Sequence, residues 1–178
     1  MRSYMGYLPP EQFRDFYEEI IKEISERFEL KELSKKNRIP HITFKSPFET
    51  SNLELLENFV SRFCKKQKCF PINIGGYGDF DKKVIYLAVK ESVSLSSAYD
   101  LFSSELENNL QIIQDKDYDK KTFHMTLVKY KELENKFDDI WSYLQKKEIK
   151  FTLPFDNLTI FRKDKRATDI RKTYWFSG

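Results

Sequence analysis

"HITF" at residues 41–44 and "HMTL" at residues 124–127 hold both histidines of a 178-residue chain, 83 positions apart in the same four-residue frame. In a β-strand, residues i and i+2 point to one face. Alternation therefore sends Ile42 and Phe44 one way, and His41 and Thr43 the other. Met125 and Leu127 split from His124 and Thr126 in the same manner. Each segment predicts a strand with an apolar face for a core and a His/Thr face for something else.

Working outward, the same order of elements surrounds both motifs. "RSYMGYL" (2–8) alternates and stops at Pro9-Pro10, which predicts a strand. Apolar residues at 13, 16, 17, 20, 21, 24 and 28 form a helical stripe. The polar "KELSKKNR" leads into the His41 strand. "SNLELLENFVSRF" predicts a helix capped by Ser51 or Asn52. "FPINI" reads as a strand, "GGYG" (75–78) as a glycine-rich turn, and "KVIYLAVK" as a buried strand. A second helix carries Leu95, Ala98, Tyr99, Phe102, Leu106 and Leu110 on one face. The His124 strand follows, then a short helix with Phe137, Ile140, Trp141 and Leu144. The strands "KFTL", "NLTIF" and "DIRKTYWF" close the chain, the last two joined by the charged loop "RKDKRATD".

The order strand, helix, His-strand, helix, strand thus occurs twice, as a repeat of elements rather than of residues. The expectation is an α+β fold: one domain over residues 1–178 with two pseudo-symmetric, interleaved lobes. The lobes would lie roughly at 10–80 and 81–178, each with an antiparallel sheet and helices, with a cleft between them carrying both motifs.

Bulk composition sets limits on function. Hydrophobic residues make 40% and charged residues 33%, which is a globular balance and not a disordered one. A net charge of +3 permits an anionic ligand without the dense basic field of a general nucleic-acid binder. Cys64 and Cys69 lack metal-type spacing and read as reduced thiols, which points to the cytoplasm. The chain has no apolar run of transmembrane length and no signal-peptide core, so no membrane association is expected. No heptad pattern marks a dimer, so a monomer is favoured.

Two imidazoles can serve as general base and general acid near neutral pH. Two threonine hydroxyls can donate to phosphate oxygens and stabilise charge on a pentacoordinate phosphate. The pairing of His41 with Thr43 and His124 with Thr126 therefore suits phosphodiester chemistry. Two histidines without a supporting Asp, Glu or Cys set make a poor metal site, so neither metal nor cofactor is expected.

These motifs, with "LPP" after the first strand and the context "PHITFKSPF", resemble the two-histidine (2H) phosphoesterase superfamily, in particular its RNA 2′,5′-ligase-like and cyclic phosphodiesterase members. The resemblance spans approximately residues 2–176. It implies that His41 and His124 are the catalytic pair and that Thr43 and Thr126 hold the phosphate. It also implies a 2′,3′-cyclic phosphate or a 2′,5′-linked oligonucleotide as substrate, with an RNA end or a cyclic nucleotide as partner. Two alternatives are a nucleotide- or RNA-end-binding protein without turnover, and a hydrolase of cyclic oligonucleotide immune signals. Phe123 stands where many members carry Pro, and Lys129 where many carry Arg, keeping the charge but losing bidentate geometry.

Three further residues are candidates for substrate contact. Lys45 continues the His41 face if no bulge intervenes. Lys129 falls on the opposite face from His124 by strict alternation and needs a bulge to reach the site. Tyr130, with Tyr7, Tyr77 and Trp175, could stack on a base, although packing is the commoner role for such residues.

Overall fold

The computed structural model describes residues 2–35, 38–50, 52–113, 122–133, 135–163 and 168–178. Residues 164–167 of the expected charged loop "RKDKRATD" (162–169), and the whole polar stretch "QDKDYDKK" (114–121) before the second histidine, lie outside the described residues.

Eight strands form two antiparallel four-stranded sheets. The first takes β1 (Arg2–Tyr7), β2 (Ile42–Glu49), β7 (Asn157–Lys163) and β8 (Thr168–Trp175), in the order β2-β1-β7-β8. The second takes β3 (Phe70–Phe80), β4 (Val84–Val89), β5 (His124–Lys129) and β6 (Lys150–Phe155), in the order β5-β4-β3-β6. The α+β architecture and its two lobes are as expected. The lobes do not divide near residue 80, however: the first sheet is built from both ends of the chain and the second from its middle.

Helices deepen the interleaving. α1 (Glu11–Arg27) follows a strand of the first sheet but packs on the second, where Phe13 and Phe16 meet Phe151 of β6 at ring distances of 5.1 and 4.7 Å. Its buried stripe is Phe13, Tyr17, Ile20, Ile21 and Ile24, the period of an amphipathic helix. α4 (Val93–Leu110) follows a strand of the second sheet but packs on the first, through Tyr99 and Phe102 against Phe44. α3 (Leu53–Lys65) covers β7 and β8. Its cap is Asn52, which accepts the Leu55 N–H. Ser92 caps α4 by accepting the Leu95 N–H. Short helices α2 (Lys31–Ser34) and α5 (Tyr130–Leu133) and the two-turn α6 (Phe137–Leu144) complete the chain. No described helix is long and apolar enough to cross a membrane.

One core joins the lobes. Phe155 of β6 stacks on Tyr7 of β1, Phe44 of β2 and Phe70 of β3, at 4.9, 5.1 and 5.0 Å. Cys64 is buried and Cys69 exposed, and both are unbridged.

The expected turn at "GGYG" is not one. β3 runs through it to Phe80. The pairing with β4 slips between Ile74 and Tyr77, and Gly76 takes φ 78°, a left-handed conformation open to glycine at little cost. The glycines therefore build a bulge. Chain reversal comes after them, at Asp81 and Lys82, both with positive φ (48° and 56°), where the Asp79 carboxylate accepts the Lys82 N–H.

Candidate active site

Both motif strands are edge strands of their sheets, and the two edges lie against each other. The apolar residues behave as alternation requires: Ile42, Phe44, Met125 and Leu127 are buried in the core. His41, Thr43, His124 and Thr126 stay half-buried on the other faces. The two half-sites flank the seam between the lobes.

The imidazoles are held alike. His41 Nδ1 lies 2.8 Å from the Ile39 carbonyl oxygen, and His124 Nδ1 lies 2.7 Å from that of Thr122. In each case the acceptor is the carbonyl two residues earlier. A carbonyl can only accept, so Nδ1 carries hydrogen and the lone pair of the neutral ring sits on Nε2.

Each ring also rests on a Tyr/Phe pair that the sequence reading missed. His41 packs on Tyr4 and Phe161, with centroids at 4.9 and 5.1 Å, and these two stack on each other at 4.7 Å. His124 packs on Tyr86 and Phe80 at 5.1 and 4.9 Å, and these two meet at 4.5 Å. In the second sheet the row runs His124 on the edge strand, Tyr86 on the second strand and Phe80 on the third; in the first it runs His41 just before the edge strand, Tyr4 on the second and Phe161 on the third. Tyr4, Phe161 and Tyr86 are buried but lie outside the main hydrophobic cluster, because they belong to the His/Thr faces. Gly78 pairs with Tyr86, and a Cβ there would sit 2.3 Å from the Tyr86 ring. The glycine makes room for that ring to lie across the strand toward Phe80 and His124. Tyr4 was detectable in principle, since it alternates with Met5 and Tyr7 of β1.

The two candidate lysines follow from register, because directly paired residues share a face. In β2, Gly6 pairs with Thr43 but Met5 pairs with Lys45. Phe44 is the extra residue of a bulge, and Lys45 joins Met5 on the core side. There it is buried, and its Nζ donates to the Ile113 carbonyl at 2.9 Å. In β5, Tyr86 pairs with Thr126, Ile85 with Val128 and Val84 with Lys129. Leu127 is the extra residue, Leu127 and Val128 are both buried, and Lys129 returns to the His124 face. Burial of the ring holds the His124 pKa below the ordinary histidine value against the opposing hydrogen bond to Thr122, and the Lys129 charge adds to the depression.

Tyr130 opens α5 and is 68% exposed. Trp175 is exposed at the end of β8, Tyr77 is half-buried, and Tyr7 is fully buried in the core, where it cannot stack on a ligand. Among the described residues, no three His, Cys, Asp or Glu side chains gather as a metal-ligand set.

A sequence-family comparison matches the 2′-5′ RNA ligase superfamily over residues 9–167. The chain belongs to that superfamily, the two-histidine phosphoesterases. Similar solved structures agree with it in fold. TT0787 of Thermus thermophilus has a TM-score of 0.68 at 17% identity, covering 100% of this chain and 99% of its own. E. coli LigT complexed with 3′-AMP has a TM-score of 0.65 at 14% identity, covering 99% of this chain and 98% of its own. E. coli LigT complexed with NADP+ gives 0.60 at 12%, covering 99% and 98%. No match is found among curated proteins.

Proposed function

We propose that the protein is a metal-independent phosphodiesterase acting on 2′,3′-cyclic phosphates or 2′,5′-linked oligonucleotides, with His41 and His124 as the acid/base pair. The observation that carries this reading is the matched tethering of both imidazoles. Each ring gives Nδ1 to a backbone carbonyl two residues earlier, which assigns proton exchange to Nε2 in both half-sites.

On a cyclic phosphate, one neutral Nε2 accepts a proton from water as the water oxygen bonds to phosphorus. The bond from phosphorus to one ribose oxygen breaks, and the other ring, protonated, gives that oxygen its proton. Thr43 and Thr126 donate to the non-bridging oxygens as charge grows there. A depressed pKa keeps His124 neutral at physiological pH and suits it to the proton-accepting role in ring opening. On a 2′,5′ linkage the neighbouring 3′-hydroxyl replaces water as nucleophile, and a cyclic phosphate is the product. The 3′-AMP complex of E. coli LigT supports the reading, since a 3′-phosphate is a product that ring opening can leave.

The test is incubation of purified protein with 2′,3′-cyclic mononucleotides, 2′,5′-oligoadenylate and cyclic oligonucleotides, with products resolved by anion exchange. Turnover should persist in EDTA and vanish in His41→Ala and in His124→Ala. Binding without product across the panel would replace the enzyme by a nucleotide-binding protein.

A further inference from the structure

The two half-sites sit on different sheets, so no β-ladder fixes one against the other. A buried ionic contact crosses the gap. Arg38 precedes His41 by three residues and is 13% exposed at its side chain. Its guanidinium pairs with the carboxylate of Glu132, which is 2% exposed and stands on α5, just beyond the His124 strand. Through Nη1, Arg38 also donates to the Leu127 carbonyl at 3.1 Å. Leu127 is the bulged residue of β5, one position after Thr126.

Glu132 is fixed in turn. Its other carboxylate oxygen accepts the Lys129 N–H at 2.8 Å, closing the turn that ends the His124 strand. Beside this contact the Tyr17 hydroxyl donates to the Thr126 carbonyl at 2.6 Å. Desolvation pushes that hydroxyl's pKa up to about 12, so it remains a donor. On the other side, Arg38 is bonded in the chain to Ile39, whose carbonyl accepts from His41 Nδ1. One side chain thus grips the β5 bulge while its own backbone leads straight to the tether of the opposite histidine.

We propose that Arg38 and Glu132 are positioning residues: a clasp that seats the segment 38–41 against β5 and so sets the orientation of His41 relative to His124. Neither residue touches the reacting atoms. A buried ion pair contributes little net stability compared with well-packed apolar groups of similar size; its use here is geometric. The link to turnover rests on the phosphodiesterase reading above, whereas the seating of His41 does not.

The experiment uses the double variant Arg38→Met/Glu132→Leu in the full chain. Replacing both partners avoids leaving one member of the ion pair buried without the other; the Lys129 N–H and the Leu127 carbonyl lose their side-chain partners, so a folded protein with a lowered melting temperature is expected. Long-range 1H–15N spectra of the imidazoles then report the state of each ring. In wild type, His41 should show a single Nδ1–H tautomer. In the double variant it should become a mixture, while His124 keeps its tautomer through Thr122. On whichever substrate wild type turns over, kcat should fall about 10²-fold with KM nearly unchanged, the signature of lost alignment. Arg38→Lys, which keeps the charge but not the fork, should fall between the two. A His41 ring that keeps its wild-type tautomer in the folded double variant overturns the clasp. If wild type turns over nothing, the phosphodiesterase reading falls and the imidazole spectra still decide the clasp.

Discussion

The two half-sites share a plan and differ in what their bulges do with the next lysine. In both, a histidine at the start of an edge strand or just before it is tethered through Nδ1 and backed by a Tyr/Phe row. In both, the strand slips register just after the threonine. Alternation alone would place Lys45, four residues after His41, on the site face, and Lys129, five after His124, on the core face. The bulges reverse both placements. In the His41 half-site the ring rests on Tyr4 and Phe161, both buried. The His124 half-site carries Lys129, and burial of the His124 ring, with the lysine charge adding to it, disfavours the charged imidazole.

The deepest cut is at the rings themselves. Loss of either imidazole should lower kcat by about 10²- to 10⁴-fold, the usual yield of a positioned acid or base. Steady-state rates of His41→Ala and His124→Ala would measure this. Near-wild-type turnover in one of them would make the half-sites unequal in kind.

Glycine substitutions probe the strands beneath. A Cβ on Gly6 would meet the Ile42 carbonyl oxygen at 2.3 Å, whereas one on Gly78 would meet the Tyr86 ring at the same distance. Backbone yields less than a ring does. Gly6→Ala should therefore cost the more stability, above the roughly 1–3 kcal/mol typical of overpacking, and Gly78→Ala should fall within that range. Gly78→Ala should also displace Tyr86 from His124 and lower activity while the fold survives. Thermal melts and rates on both variants give the comparison, and equal melting temperatures would contradict it.

The lysine pair gives the smallest and most diagnostic effects. Lys45→Met removes a charged donor from the Ile113 carbonyl and should cost about 1–3 kcal/mol of stability without moving the pH profile. Lys129→Met, at an exposed position, should cost less stability than Lys45→Met and move the profile. Removing a positive charge near His124 eases its protonation, so its pKa rises toward the ordinary value. The acidic limb of kcat/KM should shift to higher pH, and added salt should shrink the difference between variant and wild type. A reversed pattern, with Lys45 governing the profile, would undo the assignment of faces.

The faces of the motif strands were legible in the sequence because period-two alternation is local: four residues suffice to separate Ile42 and Phe44 from His41 and Thr43. The helices were legible for the same reason, from stripes such as Phe13 to Ile24. The bulges were not, because register is a property of a pair of strands and Met5 opposite Lys45 is visible only when both are placed. The "GGYG" segment misled for a related reason. Glycine permits positive φ in a turn and in a bulge alike, and only the β4 partner distinguishes them. Arg38 lay inside a stretch that read as merely polar. Its significance comes from Glu132, 94 positions away, and no periodicity reports such a pair.

The threading of the sheets has a consequence in time. The sheet carrying His124 uses strands drawn only from residues 70–155, so it can close while the chain is still being made. The sheet carrying His41 needs β1 to pair with β7, and Ser3 waits for Arg162. Such distant pairings form slowly, and β1 cannot pair with β7 until residues 157–163 have been made. This topology predicts that the sheet carrying His124 is completed before the sheet carrying His41. Amides of β3 to β6 should gain protection before those of β1 in pulse-labelled refolding. A nascent chain without β7 would then hold His124 against Tyr86 and Phe80 before Phe161 is there to back His41.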